Sequence, residues 1–345
     1  MLLGGTRECS AALVTPKGVR VEVPLHDIEI SNGRASCSVQ KDAGDDPDVT
    51  NGIFVHAAVR RTDGRRVAID GGAGVGRVTR PGLDQPVGAA AINSVPRRMI
   101  ENAVLAACEE FGYEGGVAVE ISVPGGEAIA AKTFNPRLGI EGGLSIIGTS
   151  GIVEPMSLRA VADTVRVEMS VLRAGGNEDL ILTPGNYGEN FLASMPSIAL
   201  RPHVKCSNFI GESLDAAVDL GFSAVLIVGH AGKLIKLAGG VMDTHSRVAD
   251  CRMELLALHA ALAGAAQPLV RRILEAATVD EGLSLLGGLR AEVIGSLLER
   301  AEAYVGRRAG PGLATGLVLF DGGRSLLGIS KGAGSILSRW EETGG

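Results

Sequence analysis

Five side chains that carry or readily take up positive charge, His230, Lys233, Lys236, His245 and Arg247, fall within eighteen positions of a chain whose formal net charge is −6. Such local density in an acidic protein points to an anionic ligand. Lysine and arginine would hold its carboxylates or phosphates, and His230 and His245 have the ordinary titration range of a general base. The segment "VGHAGKLIKLAGG" (228–240) is nevertheless not a Walker loop. Two residues rather than four separate Gly229 from Gly232, and Leu234 follows Lys233 where a magnesium-binding hydroxyl is required. Downstream, a helix capped by Asp243 or Thr244 and running to about Ala263 would place Arg247, Asp250, Cys251 and Glu254 on neighbouring turns. That spacing fits a structural ion-pair ladder capped by His245 as well as it fits a binding face.

Two loops in the first half carry their own chemistry. "KDAGDDPDVTNG" (41–52) has four aspartates within seven positions, Asp42, Asp45, Asp46 and Asp48. Counted from Asp46, a calcium loop would need Gly where Asn51 stands and Glu where Ala57 stands, so the EF-hand reading fails. A loop of Asx turns, its carboxylates accepting their own backbone N–H groups, is the competing reading. "GGAGVGRVTRPG" (71–82) spaces Gly72, Gly74 and Gly76 like a dinucleotide fingerprint, but it runs into Arg77, a β-branched pair and Pro81 rather than into a helix. It reads as a mobile connector or as a loop closing over an anion with Arg77 and Arg80.

The elements that must position these residues follow from patterning. Alternating or β-branched runs at 19–24, 35–39, 53–60 and 117–123 predict antiparallel strands. Between the last two, "NSVPRRMIENAVLAACEEFG" predicts a helix capped at Asn93 or Ser94, its apolar face made by Met99, Ile100, Val104, Leu105 and Cys108. Residues 1–150 therefore read as a two-layer α+β domain. After the glycine run 135–157, Ser157 is expected to cap a helix to about Leu172 closed by Gly175 and Gly176. Short apolar runs at 180, 203 and 223 then alternate with helical pattern. Residues 151–345 read as a Rossmann-like α/β domain with a mainly parallel sheet and C-terminal helices. In such sheets ligands sit beyond the carboxyl ends of the strands. That rule selects the loops "TPGNYGENF", "SNFIGES" and "GHAGKLIKLAGG".

Composition bounds the rest. With 46% hydrophobic residues, 3% aromatics and 49 glycines, the cores must be aliphatic and the backbone often tightly turned. The acidic balance argues against nucleic acid, no apolar run is long enough to span a membrane, and five scattered cysteines without CxxC spacing fit a reducing, cytoplasmic setting.

Taken together, "KDAGDDPDVTNG", "NPRLGIEGGLSIIGTSGIVEPMS", "TPGNYGENF", "SNFIGE" and "VGHAGKLIKLAGGVMDTHSRVADCRME" closely resemble the cobalt-precorrin-5B C1-methyltransferase family of anaerobic cobalamin biosynthesis, over roughly residues 19–281. The resemblance implies transfer of a methyl group from S-adenosylmethionine to C1 of the tetrapyrrole, giving cobalt-precorrin-6A, with cobalt present only as part of the substrate and no metal held by the protein. Lys233, Lys236 and Arg247, with Arg77 and Arg137, are then expected to bind substrate carboxylates, and His230 and His245 to handle protons. Gly185, Asn186, Tyr187, Gly188, Glu189 and Asp46 are expected at the cofactor, with Asp45 and Asp48 nearby. The family's usual Gly-Thr-Thr-Gly-rich start is missing from a sequence that opens "MLLGGTRE", an absence expected to affect activity. A homodimer and transient contacts with other enzymes of the pathway stay open as partners. Two rival readings are a phosphate- or nucleotide-handling enzyme using residues 229–233 and a non-catalytic tetrapyrrole carrier.

Overall fold

The computed structural model describes residues 1–343 apart from 32, 46–47, 149–150, 152–157, 196–197 and 200, and the chain divides into two units, Met1–Ser157 and Leu158–Gly345. Both are mixed α/β.

In the first unit Ser10–Val14 (β1) and Arg20–Pro24 (β2) form an antiparallel ribbon. A five-stranded sheet is built from His26–Ser31 (β3), Arg34–Gln40 (β4), Phe54–Thr62 (β5), Val67–Gly71 (β6) and, beyond the two-residue strand Arg77–Val78 (β7), Gly116–Ser122 (β8). Its order is β3-β4-β5-β8-β6. The expected antiparallel pairing holds for β3 to β5 and β8, but β6 runs parallel to β8. A parallel pair needs a long crossover, and the chain between these strands supplies one in the helix Ser94–Glu110 (α1). Val117, Val119 and Ile121 alternate onto one face and pack with Val75, Ala90 and Ile92 under Ile100, Val104 and Cys108 of α1. Leu105, expected on that face, is 51% exposed, because the contacting residues recur at intervals of four and Leu105 lies a step off that row. The cap also differs from expectation. Neither Asn93 nor Ser94 caps through its own side chain; the Asp84 carboxylate accepts the Ser94 N–H at 2.5 Å.

The second unit alternates helix and strand: Leu158–Ala174 (α2), Asp179–Thr183 (β9), Asn186–Leu192 (α3), His203–Lys205 (β10), Ile210–Asp219 (α4), Ala224–His230 (β11) and Ala231–Leu234 (α5), which continues as a 3-10 turn over Ile235–Gly239. Then follow Arg252–Leu262 (α6), Gln267–Glu275 (α7), Val279–Leu285 (α8), Arg290–Ala309 (α9), Ala314–Phe320 (β12), Leu326–Ile329 (β13) and Lys331–Thr343 (α10). The helix expected from Ser157 starts at Leu158, with Ser157 outside the described residues, and ends where Gly176 takes φ +91°. The sheet runs β10-β9-β11-β12-β13, parallel except for β13. Along β11, Val225 and Ile227 enter one core under the helices while Leu226 and Val228 enter the other beside Phe191, Phe320 and Trp340. Burial on both faces explains the unbroken apolar strand, and each such side chain contributes roughly 1.5–3 kcal/mol. The polar residues are therefore left to the strand ends.

Candidate functional site

Strand β11 ends on His230, which caps α5: its Nδ1 accepts the Gly232 N–H at 3.0 Å. The opposite ring nitrogen, Nε2, lies 3.4 Å from Oδ2 of Asp280. Asp280 sits in the first turn of α8, a helix capped by the Thr278 hydroxyl, and its Oδ1 accepts the Gly322 N–H beyond β12 at 3.2 Å. Tyr187, 63% exposed on α3, has its ring 6.2 Å from that of His230.

One turn later Lys233 projects toward the end of β10, where its Nζ donates to Asn208 Oδ1 at 2.9 Å. Gly185 backs onto the same ammonium, for a side chain there would begin 3.7 Å from Lys233 Nζ. Burial lowers the Lys233 pKa, nearby Cys206 and Asp243 oppose that change, and Lys236 adds to it. Cys206 itself is fully buried and its pKa is pushed up to about 12, so it stays a thiol. At the end of β10 the Lys205 ammonium bonds Asn186 Oδ1 at 2.7 Å and lies 3.2 Å from Glu189, with His203 Nε2 4.0 Å from the same carboxylate.

The helix expected from 243 or 244 to about 263 starts only at Arg252. Three local bonds hold the preceding segment out of helix. Asp243 Oδ1 accepts the His245 N–H at 2.9 Å, His245 Nδ1 accepts the Arg247 N–H at 3.0 Å, and Thr244 N–H donates to Asn208 O at 3.0 Å. Lys236 completes the arrangement. It is 2% exposed and gives its ammonium to the carbonyls of Thr244 at 3.1 Å and Ala249 at 2.7 Å. The proposed ladder is thus absent, and Asp250 pairs instead with Arg252 through two 2.7 Å bonds, while Arg247 is exposed.

The glycine-rich word "TPGNYGENF" is mostly the helix α3 rather than a loop. Gly188 is buried against strand residues, a Cβ there falling 2.7 Å from that of Thr183. In the first unit Arg77 is held by Asp70 at 2.7 and 3.0 Å, a contact that lowers the Asp70 pKa. Arg137 is exposed on the turn Asn135–Leu138. Asp46 lies outside the described residues, Asp45 is exposed, and Asp48 pairs with Lys41 and accepts the Thr50 N–H at 2.8 Å, an Asx turn as the competing reading had it. Among the described residues no cluster of three His, Cys, Asp or Glu could hold a metal. Nor is the 71–82 segment a mobile lid: Gly74, at φ +73°, is packed so that a Cβ would lie 1.8 Å from the Val123 carbonyl oxygen.

Of the residues the sequence singled out, the structure brings His230, Lys233, Asn186 and Tyr187 to the strand ends, beside Lys205, Asn208 and Asp280, which were not singled out. The strand-end rule, applied residue by residue, reaches Lys205 and Asn208; Asp280 arrives from a helix fifty positions on and leaves no local signal. A cavity of ≈ 270 Å³ opens at the opposite, amino edge of the sheet, lined by Asp179, Arg201 and Trp340. Its polar groups serve to anchor α10: Asp179 accepts from Trp340 Nε1 at 2.6 Å and from Arg339 at 2.8 Å, while Arg201 lies 4.4 Å over the Trp340 ring. The chemistry gathers at the other edge.

Fold and site define an α/β protein that collects lysine, histidine and amide side chains at the carboxyl ends of a mostly parallel sheet. The family profile described as CbiD matches residues 1–155, and that of the CbiD C-terminal domain matches 243–331. A cobalt-precorrin-5B C(1)-methyltransferase from Ruminiclostridium cellulolyticum is 48% identical over 90% of this chain and 81% of its own length, and one from Alkaliphilus metalliredigens is 43% identical over 94% and 85%. A crystal structure of the cobalamin biosynthesis protein cbiD from Archaeoglobus fulgidus is 30% identical over 71% of this chain and 75% of that one, with a TM-score of 0.36. The chain belongs to the CbiD family, as the sequence words had indicated.

Proposed function

We propose that this protein transfers a methyl group from S-adenosylmethionine to C1 of cobalt-precorrin-5B, and that the carboxyl edge of the second unit's sheet binds the reactants. The observation that carries the reading is 48% identity to a cobalt-precorrin-5B C(1)-methyltransferase along nine-tenths of the chain. The Rossmann-like reading of the second unit belongs to the same proposal, supported by four adjacent parallel strands with helices between them. The sulfonium is already a strong electrophile, so catalysis rests on alignment and exclusion of water.

In this proposal Lys205 and Arg247 meet the carboxylates on the tetrapyrrole's rim. Lys236 acts indirectly, by fixing the segment that carries His245 and Arg247. His230 and His245 each accept a backbone N–H at Nδ1, which leaves Nε2–H as the donor, in His230 toward the Asp280 carboxylate. Tyr187 offers a face for the adenine ring, beside the open backbone of Gly185 and the amide of Asn186. Anaerobic incubation of the protein with both reactants tests the proposal. The tetrapyrrole should gain the mass of one methyl with equimolar S-adenosylhomocysteine, and titration calorimetry should show S-adenosylhomocysteine binding and no nucleotide binding. Tetrapyrrole binding without turnover would favour a carrier instead.

A further inference from the structure

We infer that Lys233 is the proton acceptor of the reaction, an inference that rests on the function proposed above. When the macrocycle's carbon takes the methyl, the C–CH3 bond forms, the S–CH3 bond breaks and sulfur leaves with the bonding pair. The macrocycle thereby gains one positive charge and must shed a proton. A neutral Lys233 amine takes that proton from an acidic N–H or C–H of the macrocycle and ends as ammonium.

The geometry separates Lys233 from His230, His245, Lys236 and Lys205. The Nδ1 lone pairs of His230 and His245 are occupied by the N–H groups of Gly232 and Arg247. Lys236 is buried with its ammonium on two carbonyl oxygens, a setting that suits the cation. Lys205 has a carboxylate, Glu189, at 3.2 Å. Lys233 has neither arrangement. Among the described residues its hydrogen-bond partner is the neutral amide of Asn208, and beside the ammonium stands Gly185, which has no side chain to cover it.

The charged and titratable groups that act on it are Cys206 at the end of β10, Lys236 on its own turn and Asp243 on the following segment. Cys206 and Asp243 favour the ammonium form of Lys233. Burial and Lys236 pull the other way, and the direction that results, a lowered pKa, favours the neutral amine.

Lys233→Arg and Lys233→Ala are the informative variants. Arginine keeps a basic side chain of similar reach but stays protonated and so cannot accept a proton. Both variants should bind the tetrapyrrole within about threefold of the parent, followed by its absorbance, while kcat falls on the order of a hundredfold or more. Small primary amines should restore turnover to Lys233→Ala. In the unaltered protein, competitive acetylation read by peptide mass spectrometry should show Lys233 reacting at lower pH than Lys132 and Lys331. That measurement stands even where a variant fails to fold. Near-parental kcat in Lys233→Arg, or a Lys233 acetylation midpoint equal to those of the exposed lysines, would overturn the inference while leaving the proposed function intact. A parent protein that transfers no methyl at all would overturn both.

Discussion

The segment 71–76 of the first unit and the segment 228–240 of the second are both rich in glycine and both carry or adjoin basic residues, yet the fold uses them in opposite ways. In the first, the glycines are consumed by backbone packing. Gly74 faces the Val123 carbonyl and the Gly126 nitrogen, and a Cβ on Gly143 would lie 2.4 Å from the Gly74 carbonyl. The adjoining Arg77 is matched by Asp70. In the second, the backbone is a regular strand and turn, and the side chains carry the interest: His230, Lys233 and Lys236 leave one short stretch toward three different neighbours. Glycine-rich sequence thus marks a close approach without saying whether the visitor is a ligand or another strand of the same chain.

The strongest test of that contrast is Gly74→Ala. A methyl there combines left-handed backbone with overlap against a carbonyl that cannot move alone, for a cost on the order of 4 kcal/mol. The first unit should lose its cooperative thermal transition, and a stable, soluble Gly74→Ala protein would mean that the segment is looser than its packing indicates.

Next comes Lys236→Met. Removing the ammonium strands the carbonyls of Thr244 and Ala249, which should destabilise the second unit by about 2 kcal/mol or more in urea unfolding. Amide exchange should quicken across residues 243–251 before it does elsewhere. Exchange unchanged in that segment would show that the Asx turn at Asp243 holds it without Lys236.

Lys205→Ala should cost less in stability and act on binding. Its ammonium bridges Asn186 and Glu189 at the end of the shortest parallel strand, so truncation should weaken tetrapyrrole affinity about tenfold, roughly 1.4 kcal/mol, while the unfolding midpoint barely moves. An unchanged dissociation constant in titration would remove Lys205 from the proposed site.

How much of this was readable in advance depends on how local each cause is. The parallel strands were legible because burial on both faces writes itself as four to six consecutive apolar residues, as in Ala224–Gly229, and the strand-end rule then led to His230 and Lys233. The helix expected across 244–251 was not legible as absent. Its helical spacing is real, but a lysine eight positions upstream competes for its carbonyls, and periodicity does not register such a competitor. Asp280 was invisible for a similar reason, since only the docking of α8 against the β12–β13 turn brings it to His230. In the first unit the strand Val67–Gly71 was passed over, being short and ending on an aspartate and a glycine, and its parallel pairing with Gly116–Ser122 follows from the crossover rather than from anything in its own five residues.

The mildest test is Arg77→Ala, and its value lies in that mildness. Two N–H donors meet the Asp70 carboxylate, a geometry that elsewhere could define an anion site, but both side chains are well exposed, at 44% and 61%. Solvent screens such a pair, so its removal should cost under about 1 kcal/mol in urea unfolding. Methyl transfer should keep its KM and kcat, because the Arg77 guanidinium already has its carboxylate. The companion change Asp70→Asn sharpens the point. It releases Arg77 without deleting it, so if KM for the tetrapyrrole then falls, Arg77 is a latent anion donor held in check by its neighbour. If KM is unmoved in both variants while Lys205→Ala raises it, recognition of the carboxylates lies with the second unit's strand ends, and the resemblance between the two glycine-rich segments stops at composition.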